Sequence, residues 1–494
     1  MFLNDFRPSR RPVAAGGLLA IALTVALTGC RSYEPAPLEL SAHGQRVRDR
    51  LDHAETLEII DGFLERQADA GFTVPDRFDP SDGLSLAEAE VLALFHQPRL
   101  RLARLEAGVT AAARDHAGRW QDPVFGFDAE EVLSGDADSL FGVTIEWTLP
   151  VSGRLAVQRD RASAEYAVAL ARVAEAEWRL RADIRRAWVR WSMARERADL
   201  LAAFAREAAA LEDVGTRLRD AGELPRTAAR LLRVDRQQRE VERIDAEATA
   251  DEARLEILGL LGLAPDAPVA LLPAVEVPPP PSVSDPESRL IEANPSLAVR
   301  RAEHAVAEQR LRLEIRRQYP DLTIGTGYAN EGDDRLRLGI SLPVPVFDGN
   351  RRAIAEALAG RELTRATAET AFEALLLDLH RARRRLEAAG TQETRFTESI
   401  LPELQQQSQE LQRLADVGEL DVLLLLEAVN RRLDAASTRL ELRRRSAEAA
   451  IDLAEVLGPE PTVMPGPDHA PAASTTHTAS PASADPGSTT GADR

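Results

Sequence analysis

The chain of 494 residues contains no lysine: all 61 basic residues are arginine, set against 80 acidic ones. The arginine bias reads as coding preference, and the net charge of −19 repels polyanions, which excludes nucleic acid as a natural partner. Aromatic residues make up only 4%. With Ala, Leu, Arg and Glu abundant, that scarcity excludes a thick aromatic core and favours long helices packed through small side chains. Cys30 is the one cysteine, so no internal disulfide can form. The apolar run "VAAGGLLAIALTVAL" at 13–27 is too short for a comfortable membrane-spanning helix.

Catalytic and metal-binding patterns are missing too. The eight histidines are scattered, none at a metal-ligand spacing from another His or Cys. "GTG" at 325–327 lacks the third glycine and the helix of a dinucleotide site. No Gly-x-Ser-x-Gly elbow, His-Glu-x-x-His or P-loop occurs. These absences predict no catalysis, no cofactor and no metal site.

What is present begins with Arg7, Arg10 and Arg11 ahead of the apolar run, which ends in "LTGC" at 27–30. This resembles a bacterial lipobox: a signal peptide over 1–29 is removed and Cys30 is acylated. A lipid anchor accounts for a single thiol that no disulfide can use. Ser32, two places after Cys30, favours delivery to the outer membrane in the lipoprotein class this resembles. Residues 30–84 read as a linker with a short charged helix from about Ser41 to Ala70, and 459–494, rich in Pro, Ser, Thr, Ala and Gly, as a disordered tail.

Between these ends the chain is built twice, over 85–262 and 287–458, around a Pro-rich connector at 263–286. Pro98 and Pro295 stand 197 positions apart, as do Pro123 and Pro320. Gly222 and Gly418 are separated by 196, as are Gly262 and Gly458. Each half opens with a helix, the first carrying a capping box from Ser85 to Glu88. Two alternating segments follow. Residues 124–130 pair with Phe141 to Leu149 in the first half, and 322–330 with Leu336 to Leu342 in the second, so period two predicts one β-hairpin per half. After a Leu-Pro turn comes a long helix, from about Leu155 to Arg219 in the first half, whose apolar residues step by three or four as in a coiled-coil seam.

"RDAGELPR" at 219–226 interrupts that seam, and "ADVGELDV" at 415–422 repeats the interruption. Glycine tolerates the left-handed backbone just past a helix end, and Pro225 can start the next helix. Each stretch is the expected tip of an antiparallel helical hairpin. The strands raise a problem of arithmetic. A closed transmembrane barrel needs about eight or more strands, and an open sheet edge is not tolerated in lipid. Four strands either stay in water or are pooled with those of other copies.

Duplicated halves behind a lipobox, with "NPSL" at 294–297, "LPVPVFDGNR" at 342–351 and "VGELDVLLLLEA" at 417–428, resemble the TolC-like outer membrane efflux protein family. The first half departs from the pattern with Gln97 before Pro98, the shorter "LPVSGR" turn at 149–154, and Pro225-Arg226 where the second tip has Asp421-Val422. The resemblance implies a mostly α protein whose duplicated helical hairpins form a trimeric α-barrel tunnel, with a 12-stranded β-barrel shared by three chains. It implies no enzyme but a passive outer membrane duct, working with a periplasmic adaptor and an inner-membrane pump. By this analogy Gly222, Glu223, Leu224, Gly418, Glu419 and Leu420 lie at the adaptor-docking and gating tips. Asp416, Glu419 and Asp421, with Asp220 and Glu223 nearby, are candidates for an acidic entrance ring, although Arg217, Arg219 and Arg226 are close in sequence. A non-conducting lipid-anchored coiled-coil scaffold, a polypeptide secretion duct and an autonomous porin are the alternatives. Cargo is not legible.

Overall fold

A computed structural model describes residues 33–51, 82–130, 140–281, 283–330, 333–416 and 422–459. Two units are distinguished, 1–49 and 50–494. The first contains helix α1 (Leu40–Arg48), at the start of the short charged helix expected there. The signal, Cys30 and the tail lie outside the described residues.

The second unit repeats one order of elements. Its first half runs α2 (Leu86–His96), α3 (Pro98–Asp115), β1 (Val124–Glu130), β2 (Leu140–Leu149), α4 (Arg154–Asp220) and α5 (Arg226–Leu261). The second runs α6 (Pro286–Ala293), α7 (Pro295–Arg316), β3 (Leu322–Asn330), β4 (Asp334–Ser341), α8 (Arg351–Arg395), a π-turn (Phe396–Ile400), α9 (Leu401–Asp416) and α10 (Val422–Leu457). The 67 residues of α4 make a rod about 100 Å long.

Both halves are closed at the base by the same device. Gln97 caps α3, its Oε1 accepting from Leu100 N at 2.6 Å, and Asn294 caps α7, its Oδ1 accepting from Leu297 N at 3.1 Å; each is followed by Pro at the first helical position. The Gln/Asn difference between the halves therefore conserves the cap chemistry. Against each cap lies the glycine that ends the returning helix. Gly262 (φ 69°) and Gly458 (φ 77°) are left-handed, and a Cβ on either would sit 2.3 Å from a carbonyl oxygen, of His96 or of Ala293. Arg50 Nη1 donates to the His96 and Gly262 carbonyls at the first of these junctions.

The main core sits beside it, with α2 packed on α4 and α5 through Leu92, Ile184, Trp188, Ile257 and Leu261. The Pro-rich connector contributes to this core instead of standing apart. Leu263, Ala267, Val269 and Leu271 are buried in it, Leu84 N donates to Ala270 O at 2.8 Å, and Trp188 Nε1 donates to Leu272 O at 3.1 Å. Proline stops the helix but does not prevent the alternate apolar residues from packing. The halves are also joined along their length: Ala198, Leu201 and Phe204 of α4 pack with Ala246 of α5 and with Val429 and Leu433 of α10.

In the second half the outward helix is not continuous. Pro402 has no N–H and its ring would collide with the carbonyl four residues back. The ladder widens to a π-turn, with Leu401 N bonded to Phe396 O. Phe396 is buried, Leu401 and Leu404 are half-buried, and Ile400, four residues after Phe396, is exposed. The apolar seam thus skips one residue, and the π-turn absorbs it.

Candidate functional site

The four strands form one antiparallel sheet in the order β1-β2-β3-β4. Its register sorts side chains by chemistry. Phe125 pairs with Ile145, Ile145 with Thr326 and Thr326 with Leu338; the next rows add Phe127, Val143, Tyr328 and Leu336, and Trp147, Ile324 and Ile340. These residues share one face. The opposite face carries Gly126, Asp128, Thr144, Glu146, Thr148, Thr323, Gly325, Gly327, Arg335, Arg337 and Gly339. Nothing in the described chain covers much of the apolar face: Leu336 is 83% exposed, Leu338 75% and Ile340 70%. A sheet with an uncovered apolar face and a polar, glycine-rich reverse matches a wall between lipid and water. No described helix is long and apolar enough to cross a membrane.

The sheet has two open edges, β1 and β4, and the helices end in the same two edges. Near the sheet, α3 packs on α4, α4 on α7 and α7 on α8; toward the tips, α5 packs on α4, α4 on α10 and α10 on α8. So α3 and α5 lie on the β1 side of this arc and α8 on the β4 side. Both margins carry exposed apolar residues: Leu102, Leu105 and Val109 on α3 and Leu231, Val234, Val241 and Ile244 on α5, stepping at helical spacing, and Leu358, Leu363 and Leu377 on α8.

The first tip is held rigidly. Gly222 has φ 79°, its N–H bonds Arg219 O at 3.0 Å and Glu223 N bonds Leu218 O at 2.9 Å, the paired bonds of a Schellman cap. Leu224 N also reaches Leu218 O at 3.2 Å. Below the tip Glu212 of α4 accepts from Arg236 at 2.8 Å and Arg233 at 3.1 Å of α5, and those donors hold its carboxyl below the usual carboxylate range. Gly215 lets α5 approach closely, since a Cβ there would lie 2.3 Å from Leu232 Cδ1. Sequence reasoning missed both contacts, although Gly215 in an unbroken seam was a visible signal of close approach.

Of the candidate entrance acids, Asp220 pairs with Arg219 at 2.7 Å. Asp416 ends α9, and Gly418, Glu419, Leu420 and Asp421 lie outside the described residues. Among the described residues no group of three or more His, Cys, Asp or Glu is placed to hold a metal ion.

No family model matches the chain. A curated relative, the cobalt-zinc-cadmium resistance protein CzcC of Cupriavidus metallidurans, is 24% identical over 325 residues, covering 64% of this chain and 77% of that protein. Crystal structures of CusC, described in connection with transmembrane channel formation, superpose with a TM-score of 0.66 at 15% identity, covering 76% of this chain and 92% of that one. The open state of the MtrE outer membrane channel of Neisseria gonorrhoeae gives 0.64 at 17% identity, covering 76% and 88%. With its long paired helices and four-stranded sheet, the chain has the fold of the TolC-like outer membrane channels that its sequence resembles.

Proposed function

We propose that this protein is the outer membrane duct of a tripartite export system. In this reading it passively carries small molecules or ions from an inner-membrane pump and a periplasmic adaptor to the cell exterior. The observation that carries the reading is the sheet, whose apolar face and two free edges have no use in water and cannot stand alone in lipid. Three copies, each joining β1 to the β4 of the next, make a closed ring of about twelve strands; a head-to-tail contact of this kind closes when the rotation fits. The helical margins then meet in the same order, covering the stripes on α3, α5 and α8. Cys30 serves as a lipid anchor, and the tips around Gly222 and Gly418 form the adaptor-facing end. The name of the curated relative favours divalent metal cations as cargo. A coiled-coil scaffold leaves the sheet unexplained.

Purified protein reconstituted into planar lipid bilayers should give discrete single-channel conductance. Bilayers that stay silent with correctly assembled protein would reject the duct in favour of a scaffold. Charge neutralisation at Glu419 tests the entrance ring in the same recordings, where an unchanged cation preference removes it.

A further inference from the structure

All four strands share one end, marked by Val124, Leu149, Leu322 and Ser341, where the helices join the sheet. Large apolar side chains crowd that end without cover. Trp120 (61% exposed) precedes β1, Trp147 (52%) lies near the end of β2, and Tyr319 (59%) precedes β3. After β4 the second half has a turn four residues longer than the first half's, "LPVPVFDGNR" against "LPVSGR". It exposes Val344 (73%), Val346 (66%) and Phe347 (94%).

Two prolines shape the backbone of this turn. Pro343 and Pro345 have no N–H to leave unpaired, and Val346 N bonds Val344 O at 2.9 Å, closing a γ-turn around Pro345. The base of the turn is clamped. Asn350, in the left-handed conformation (φ 56°), donates from Nδ2 to Glu314 O at 2.8 Å and to Glu314 Oε2 at 3.0 Å, tying the turn to α7.

We propose that this turn is a lipid-dipping wedge, with Val344, Val346 and Phe347 seated in the headgroup boundary of the phospholipid leaflet on the helix side of the barrel. With Trp120, Trp147 and Tyr319 it sets the depth of the sheet in the membrane. The proposal rests on the duct reading, because it takes the apolar sheet face as lipid-facing. Its occupant follows from continuity: the exposed residues extend that same apolar surface beyond the strand ends, at the level where aromatic side chains anchor membrane barrels. The first half has one exposed apolar residue in its turn, Val151, so the wedge belongs to the second half alone.

The test places an environment-sensitive fluorophore on the full-length protein at F347C, with L338C on the barrel face and E373C on α8 as references and the wild type as labelling control for Cys30. Each is reconstituted in phosphatidylethanolamine/phosphatidylglycerol vesicles, with and without lipids bearing a nitroxide near the headgroup. The proposal expects blue-shifted emission at position 347 and loss of intensity with nitroxide lipids. Emission at 347 like that of the α8 reference, with 338 quenched, overturns the wedge while leaving the duct standing. A blue shift at 347 without quenching means that protein, such as a neighbouring copy, covers the turn, and also overturns it. If 338 is not quenched either, the barrel reading fails first.

Discussion

Gly262 and Gly458 show how much one hydrogen atom can decide. Both are left-handed, and both lie against a carbonyl oxygen that a methyl group would strike at 2.3 Å. Gly222 is left-handed as well, but open space surrounds its missing Cβ. Gly222→Ala should therefore lose about 1 kcal/mol from the backbone conformation alone. Gly458→Ala should lose about 2–4 kcal/mol, because the cap of α7 must also move. Thermal unfolding of the two variants separates the terms, and equal losses would refute the steric account. His96, beside Gly262, gives a second test. Burial, and then the nearby Arg50 charge, push its pKa down to about 4 from 6.5. The unfolded chain then binds more protons than the folded one between those values. Its contribution is fully present above pH 6.5 and is lost as the pH falls toward 4. His96→Gln should flatten the melting-temperature profile across that window relative to wild type, and an unchanged slope would count against it. Gln97 and the base glycines could be found from the repeat alone, since their offsets are regular. The His96 environment could not, because its burial comes from tertiary packing and Arg50 is distant in sequence.

At the scale of elements, periodicity made the long helices, both β-hairpins and the Gly222 break readable, because each depends on neighbours three, four or two residues away. What escaped depends on partners farther off. The connector's prolines announced a linker, yet Val269 and Leu271 pack into the core because Leu84 supplies a short parallel bridge. The slip after Phe396 was present in the residue pattern, since the apolar positions move from 396 to 401 and 404 and Pro402 sits inside the helix. If the π-turn only absorbs one extra residue, deleting Ser399 together with Pro402→Ala should restore a continuous α-helix. Its melting temperature should stay within about 3 °C of wild type, whereas inserting Ala after Ser399 should lower it clearly. Loss of folding on deletion would show that the bulge does more than correct the register. At the first tip Arg233 and Arg236 staple α5 to Glu212 of α4, and Asp220 pairs with Arg219.

For the molecule as a whole, the open edges are the decisive feature. The β1 and β4 edges, and the exposed stripes on α3, α5 and α8, need a complement that this chain cannot offer itself. The two margins differ in composition, so the proposed contact between copies is head to tail and not self-complementary. Replacing Val241 and Ile244 with Arg places two charges in the α5 margin without touching the sheet or the buried core. The pair should leave helix content unchanged while reducing the assembled form to single chains, as read by circular dichroism and size-exclusion chromatography with light scattering. Assembly that survives both charges would move the interface elsewhere. The most direct measurement is the mass of the purified wild-type protein by native mass spectrometry, released from detergent. Three copies per particle are expected; a particle of one chain, stable in detergent with its sheet intact, contradicts the closed wall on which the duct depends.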